Sequence, residues 1–155
     1  NKLIAQNNVT GCTMMVNKPL LDMIKSPPKN DIMHDWWLAL IASCFGKIGF
    51  IDKPLMLYRQ HFNHSVGAKN TKSLLYNLKR AFNKSGSEKV LNDTFLQAEE
   101  FLNTYEKLLN ENDKTLIENY VKIPHMNKFM KIITLFKYDF LKHSLKRKLG
   151  QILYI

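Results

Sequence analysis

Two short stretches of the chain carry side chains whose types and spacing suit chemistry. The first is His34-Asp35-Trp36-Trp37, directly ahead of the apolar run LALIASCF. A carboxylate at the head of an apolar helix has a plain structural reading. It satisfies free backbone N–H groups and complements the helix dipole. It also has a chemical reading: at the edge of a cleft, such a carboxylate takes a proton from a substrate hydroxyl as general base. The two indoles are core side chains in the first reading. In the second, one of them stacks on the apolar face of a sugar ring. The other stretch is Tyr58-Arg59-Gln60-His61-Phe62-Asn63-His64-Ser65. The planar fork of Arg59 suits phosphate oxygens, and His61 suits a metal ion or a phosphate. His61-x-x-His64 is a weak metal signal by itself, and a solvated turn is the plain alternative.

These residues need elements to position them. Residues 9–17 (VTGCTMMVN) are rich in β-branched and apolar side chains and predict a strand. Gly11 within it marks a bulge or a close approach to the backbone. Pro19 opens a short helical turn over 19–24, which stops at the loop Ser26-Pro27-Pro28-Lys29-Asn30. Residues 33–45 are apolar on nearly every face and predict a buried helix closed by Gly46. Two short strands, 47–51 and 54–58, lead into a polar loop. After Gly67 the pattern turns helical, over about 70–83, 88–110, 113–121 and 125–148. Ser85-Gly86-Ser87 separates the first two of these, and Pro124 fits the start of the last. Leu91, Phe95, Ala98, Leu102 and Tyr105 recur at three- and four-residue steps, the mark of a helix that packs on neighbours.

The 155 residues suit one domain with a substantial core, and their 45% hydrophobic content with nine Phe, six Tyr and two Trp argues against disorder. Only Cys12 and Cys44 are present, both in apolar runs, so a disulfide scaffold is excluded and a reducing cytoplasm is the simpler setting. Asn1-Lys2-Leu3 has neither an initiator Met nor a signal-peptide pattern, which reads as a piece of something longer. The formal charge of +10 is uneven. Residues 1–67 carry seven basic and four acidic side chains, 68–121 carry eight of each, and 122–155 carry eight basic residues against Asp139.

The segment VTGCTMMVNKPLLD, followed by HDWWLALIASCFGKIGFIDKPLMLYRQHFNHSVGA, closely resembles the second half of family 2 glycosyltransferases with a GT-A fold, of the bacterial rhamnosyltransferase-like kind. The resemblance covers roughly residues 8–68. It implies an α/β fold class: the acceptor-side half of a GT-A domain over 1–68, with a few short strands and a buried helix. An all-helical extension follows over 69–155. It further implies inverting transfer of a sugar from a nucleotide-sugar donor to an acceptor hydroxyl, in surface polysaccharide synthesis. By the same resemblance Asp35 is the catalytic base. Arg59 and His61 lie near the donor diphosphate or its metal, and Gly11, Cys12, His34 and Trp36 lie on the acceptor side. The implied cofactor is a divalent cation, Mg²⁺ or Mn²⁺. The family holds it mainly through a D-x-D motif that does not occur in this sequence. These residues alone are therefore expected to be inactive. An unpaired half-sheet would also expose apolar surface and invite homo-oligomers.

The last residues, 125–155, interleave Lys and Arg with Phe, Ile, Leu and Tyr. The plain reading is a helix docked on the body with its lysines in water. The alternative is an interfacial helix on an anionic membrane, with Phe129, Ile133, Phe136 and Phe140 in the acyl boundary. Such a helix would suit a lipid-linked acceptor and a place at the inner face of the cell membrane. A non-catalytic module binding a membrane or a protein partner is the competing function. Nucleic-acid binding has the charge but no reading module, and is not expected.

Overall fold

The computed structural model describes residues 1–24, 28–57 and 84–155. Among these the regular elements are helices: α1 (Lys2–Ala5), α2 (Lys18–Asp22), α3 (His34–Phe45), α4 (Lys84–Tyr105), α5 (Glu111–Val121), α6 (Lys128–Lys137) and α7 (Leu145–Tyr154). Short 3₁₀ turns occupy Gly11–Thr13 and Ile123–His125.

Local sequence explains where several of these helices begin. The side chains of Asn17, Asn110, Asn127 and Ser144 each accept a hydrogen bond from the backbone N–H three residues on, which caps α2, α5, α6 and α7. Glu111 and Asp113 add negative charge to the first turn of α5, where the helix dipole favours it. Helix α3 has no side-chain cap and is held by burial instead: Asp35 through Ile41 are all inside. It ends where the Gly46 N–H bonds back to the Ala42 carbonyl.

One hydrophobic core joins the first half of the chain to the last. Trp37 meets Phe101 edge-on at 5.4 Å between ring centres, and Phe101 leans on Tyr105 at 4.9 Å. Farther along, Phe95, Tyr120 and Phe140 form a second aromatic run with centroid separations of 5.0 and 4.9 Å. The buried face of α4 is Leu91, Phe95, Ala98, Phe101 and Tyr105, close to the stripe that the sequence predicts; Leu102 is only partly buried.

The α/β expectation, with its GT-A half-sheet, is overturned: no strand occurs among the described residues. Residues 9–17 hold extended backbone at Thr10 and Met14, but the Gly11–Thr13 turn lies between them. Residues 47–57 are neither helix nor strand, and Tyr58 lies outside the described residues. A strand exists only where a neighbour takes up its N–H and C=O groups. No such pairing forms here, and Phe50 and Leu57 stand in solvent at 87% and 101% exposure.

Two helix boundaries also differ from expectation. Ser85-Gly86-Ser87 lies within α4 rather than before it. One glycine costs a helix about 1 kcal/mol, less than the buried face of α4 returns. The single helix expected over 125–148 is broken in two. Asp139 adopts a left-handed φ of 54°, the Phe140 N–H reaches the Leu135 carbonyl at 2.9 Å, and the Asp139 N–H reaches that of Phe136 at 3.3 Å. This is a Schellman stop, and its usual apolar contact is supplied by Phe140 and Leu135, both fully buried. Phe140 therefore belongs to the core and not to a membrane-facing stripe. The expected 70–83 helix lies outside the described residues.

Candidate active site around Asp35

Asp35 sits in the first turn of α3 and is 2% exposed. Both of its oxygens are engaged. Oδ2 accepts the Gly11 N–H at 2.7 Å, and Oδ1 accepts the Asn7 side-chain amide at 3.0 Å. Asn7 in turn accepts the Val9 N–H on its own Oδ1 at 2.9 Å, a local Asx turn that shapes the loop before Gly11. The carboxylate thus fastens residues 7–11 onto the head of α3, and each oxygen retains one further acceptor position.

The close approach expected at Gly11 is present, and what approaches is α3 itself. A methyl group on Gly11 would lie 2.9 Å from His34 Nε2 and 3.3 Å from Asp35 Oδ2. The structure thus gathers Gly11, His34 and Asp35 in one place. His34 is exposed, as is Cys12 in the next position of the turn. Trp36 is set apart from these: its ring is 6% exposed and its indole N–H donates to the Leu3 carbonyl at 2.6 Å, pinning α1 to α3. Trp37 faces α4 and belongs to the core. Arg59 and His61 lie outside the described residues.

The head of α3 is held from the far side by α4. Glu100 accepts two successive backbone N–H groups, Lys29 on Oε1 and Asn30 on Oε2, each at 2.6 Å. One turn away Gln97, buried, accepts the Ile32 N–H at 2.9 Å. These two side chains fix the approach of the chain into His34-Asp35. A shallow pocket of about 270 Å³ lies alongside, lined by Asn30, Asp31, Ile32, Asp93 and Leu96, and does not include Asp35. Among the described residues no group of three or more His, Cys, Asp and Glu side chains is arranged to hold a metal ion.

Asn7, Gln97 and Glu100 were not singled out by sequence reasoning. Asn7 had a local signal, an Asx residue two positions before a β-branched one. The two α4 side chains act across about seventy positions, where no periodicity points.

No family model matches the chain, and no solved structure matches it. Over 66 residues it is 38% identical to the dTDP-rhamnosyl transferase RfbG of Shigella flexneri. That relative is a sugar-transferring enzyme. The match takes in 37% of this chain and 23% of the relative, so the chain spans under a quarter of that enzyme's length. The similarity supports a glycosyltransferase-like relationship over that part.

Proposed function

We propose that this chain forms part of a nucleotide-sugar-dependent glycosyltransferase and supplies its general base, Asp35. The similarity to a dTDP-rhamnosyl transferase carries this reading, and the donor class is accordingly a dTDP-activated deoxyhexose. The acceptor is a saccharide or lipid-linked saccharide of a surface polysaccharide. In the proposed reaction the acceptor oxygen attacks the anomeric carbon and forms the new glycosidic bond. The bond from that carbon to the diphosphate breaks, the nucleoside diphosphate leaves, and Asp35 takes the acceptor's proton. The Gly11 N–H and Asn7 amide keep the carboxylate aimed while its remaining acceptor positions meet the hydroxyl. His34 and Cys12, both exposed beside it, are the side chains that contact the acceptor. The sequence resemblance supports assigning Arg59 and His61 to the donor diphosphate or its metal.

The test is sugar transfer from dTDP-rhamnose by the enzyme that carries this chain. Asp35→Asn is expected to lower kcat by about 10²–10⁴-fold, the usual contribution of a positioned base, while Asp22→Asn on exposed α2 leaves it unchanged. Transfer by Asp35→Asn at near the parent rate refutes the assignment.

A further inference from the structure

The C-terminal helices present apolar faces that no other described residue covers. On α6, Phe129, Ile133 and Phe136 are 73%, 40% and 58% exposed. On α7, Leu145, Leu149 and Leu153 are 76%, 62% and 60% exposed. Steps of three and four residues align each trio into one stripe, and the opposite faces, with Leu135 and Gln151, are buried. The two helices adjoin: Lys128 at the start of α6 donates to the Leu153 carbonyl near the end of α7 at 3.3 Å.

Charge says what the stripes face. Residues 122–155 hold eight basic side chains and one acid, and that acid, Asp139, is paired with Lys2 at 3.2 Å. Lys128, Lys137, Lys146 and Arg147 are exposed on the same two helices. A second copy docking here would set basic helices against basic helices, which is costly. An anionic surface with an apolar interior answers both features. We propose that α6 and α7 form a seat for an anionic lipid bilayer. Their stripes enter the acyl boundary, and the lysines that flank them, Lys137 and Lys146 foremost, lie among the headgroup phosphates. No helix among the described residues is long and apolar enough to cross a membrane, so the contact is interfacial.

Removing the tail is a poor test, because Leu135, Phe140 and Leu141 are core. Surface substitutions in the full chain avoid that difficulty. In flotation, the chain is expected to rise with phosphatidylcholine vesicles containing phosphatidylglycerol and to stay behind with phosphatidylcholine alone. Phe136→Ser with Leu149→Ser should lower the partition coefficient at least tenfold, with the helical circular dichroism spectrum unchanged. Lys146→Ala should lower it about fivefold at low salt, the worth of one basic group near such a surface. Equal partition into the two vesicle types, or into neither, overturns the proposal. So does a concentration-dependent dimer in sedimentation that the same apolar substitutions abolish.

Discussion

Replacing Asp35 by Asn, nearly the same in shape, sets a parity problem that the loop cannot solve. The hydrogen-bonded run begins at the Gly11 N–H, passes through Asp35 and Asn7, and ends at the Val9 N–H. Both ends are backbone donors. Between them the structure needs an acceptor facing Gly11, an acceptor facing Val9, and one donor–acceptor pair in the middle. Asp35 and Asn7 meet that need: three acceptors and one donor. With an amide at position 35, one donor–donor confrontation appears wherever the two amides are flipped. The loss is one hydrogen bond to a charged group, worth about 1.5–3 kcal/mol, together with a poorly satisfied buried N–H. We expect Asp35→Asn to destabilise the chain by about 2–4 kcal/mol. Adding Asn7→Asp restores the parity, because the acceptors then number three again and the charge moves to a less buried position. The double variant should regain at least half of the loss. Urea denaturation monitored by circular dichroism measures both. A single variant within about 0.5 kcal/mol of the parent, or a double variant no more stable than the single, refutes the reasoning. The pair also separates roles: restored stability without restored sugar transfer leaves the carboxylate at position 35 with a chemical duty beyond the fold.

Two further predictions concern the core and the cysteines. The Thr94 hydroxyl donates to the Leu91 carbonyl at 2.6 Å, so the Tyr120 hydroxyl must be the donor in its 2.8 Å contact with Thr94. Tyr120→Phe should cost about 1 kcal/mol, and a double-mutant cycle with Thr94→Val should show coupling of at least ~0.5 kcal/mol; simple additivity in denaturation midpoints argues against that bond. Burial, with a smaller contribution from the charge of Asp113, pushes the Cys44 thiol up to about 11. The nucleophilic form is the thiolate, so at pH 8 only about one Cys44 in a thousand is reactive. Iodoacetamide followed by mass spectrometry should modify exposed Cys12 first. The Cys44 rate should climb steadily as pH rises from 8 toward 11; comparable rates for both at pH 8 contradict this.

Much of the helical framework is legible in the sequence. The run from His34 to Phe45 ends at the Gly46 cap that the sequence marks, and the buried stripe of α4 follows its three- and four-residue spacing. The expected strands are absent among the described residues for a physical reason. β-Branched and apolar residues at 9–17 and the short apolar runs at 47–51 and 54–58 describe what those side chains prefer on a pleated surface, whereas a strand requires a neighbour, and that is not a local property. The break at Asp139 was equally hidden. Glycine usually marks such a stop, and here an aspartate tolerates the left-handed turn while Phe140 and Leu135 close over it.

At the site, residue types were legible and their partners were not. His34-Asp35 stands out by composition, and Gly11 by its lack of a side chain, yet nothing local says that one meets the other. The structure supplies that link and makes the two readings of Asp35 compatible. As a clamp, the carboxylate is locked by Gly11 and Asn7; as a base, it needs that same locking, since an unheld carboxylate would seldom point at an acceptor hydroxyl. The support extends outward. Trp36 holds α1 through the Leu3 carbonyl, and residues at the start of the chain hold the C-terminal segment through Lys2–Asp139 and the Gln6 side chain on the His143 N–H. A disturbance of the turn at Asp139 therefore has a short physical route to the helix that bears Asp35, with only α1 between them.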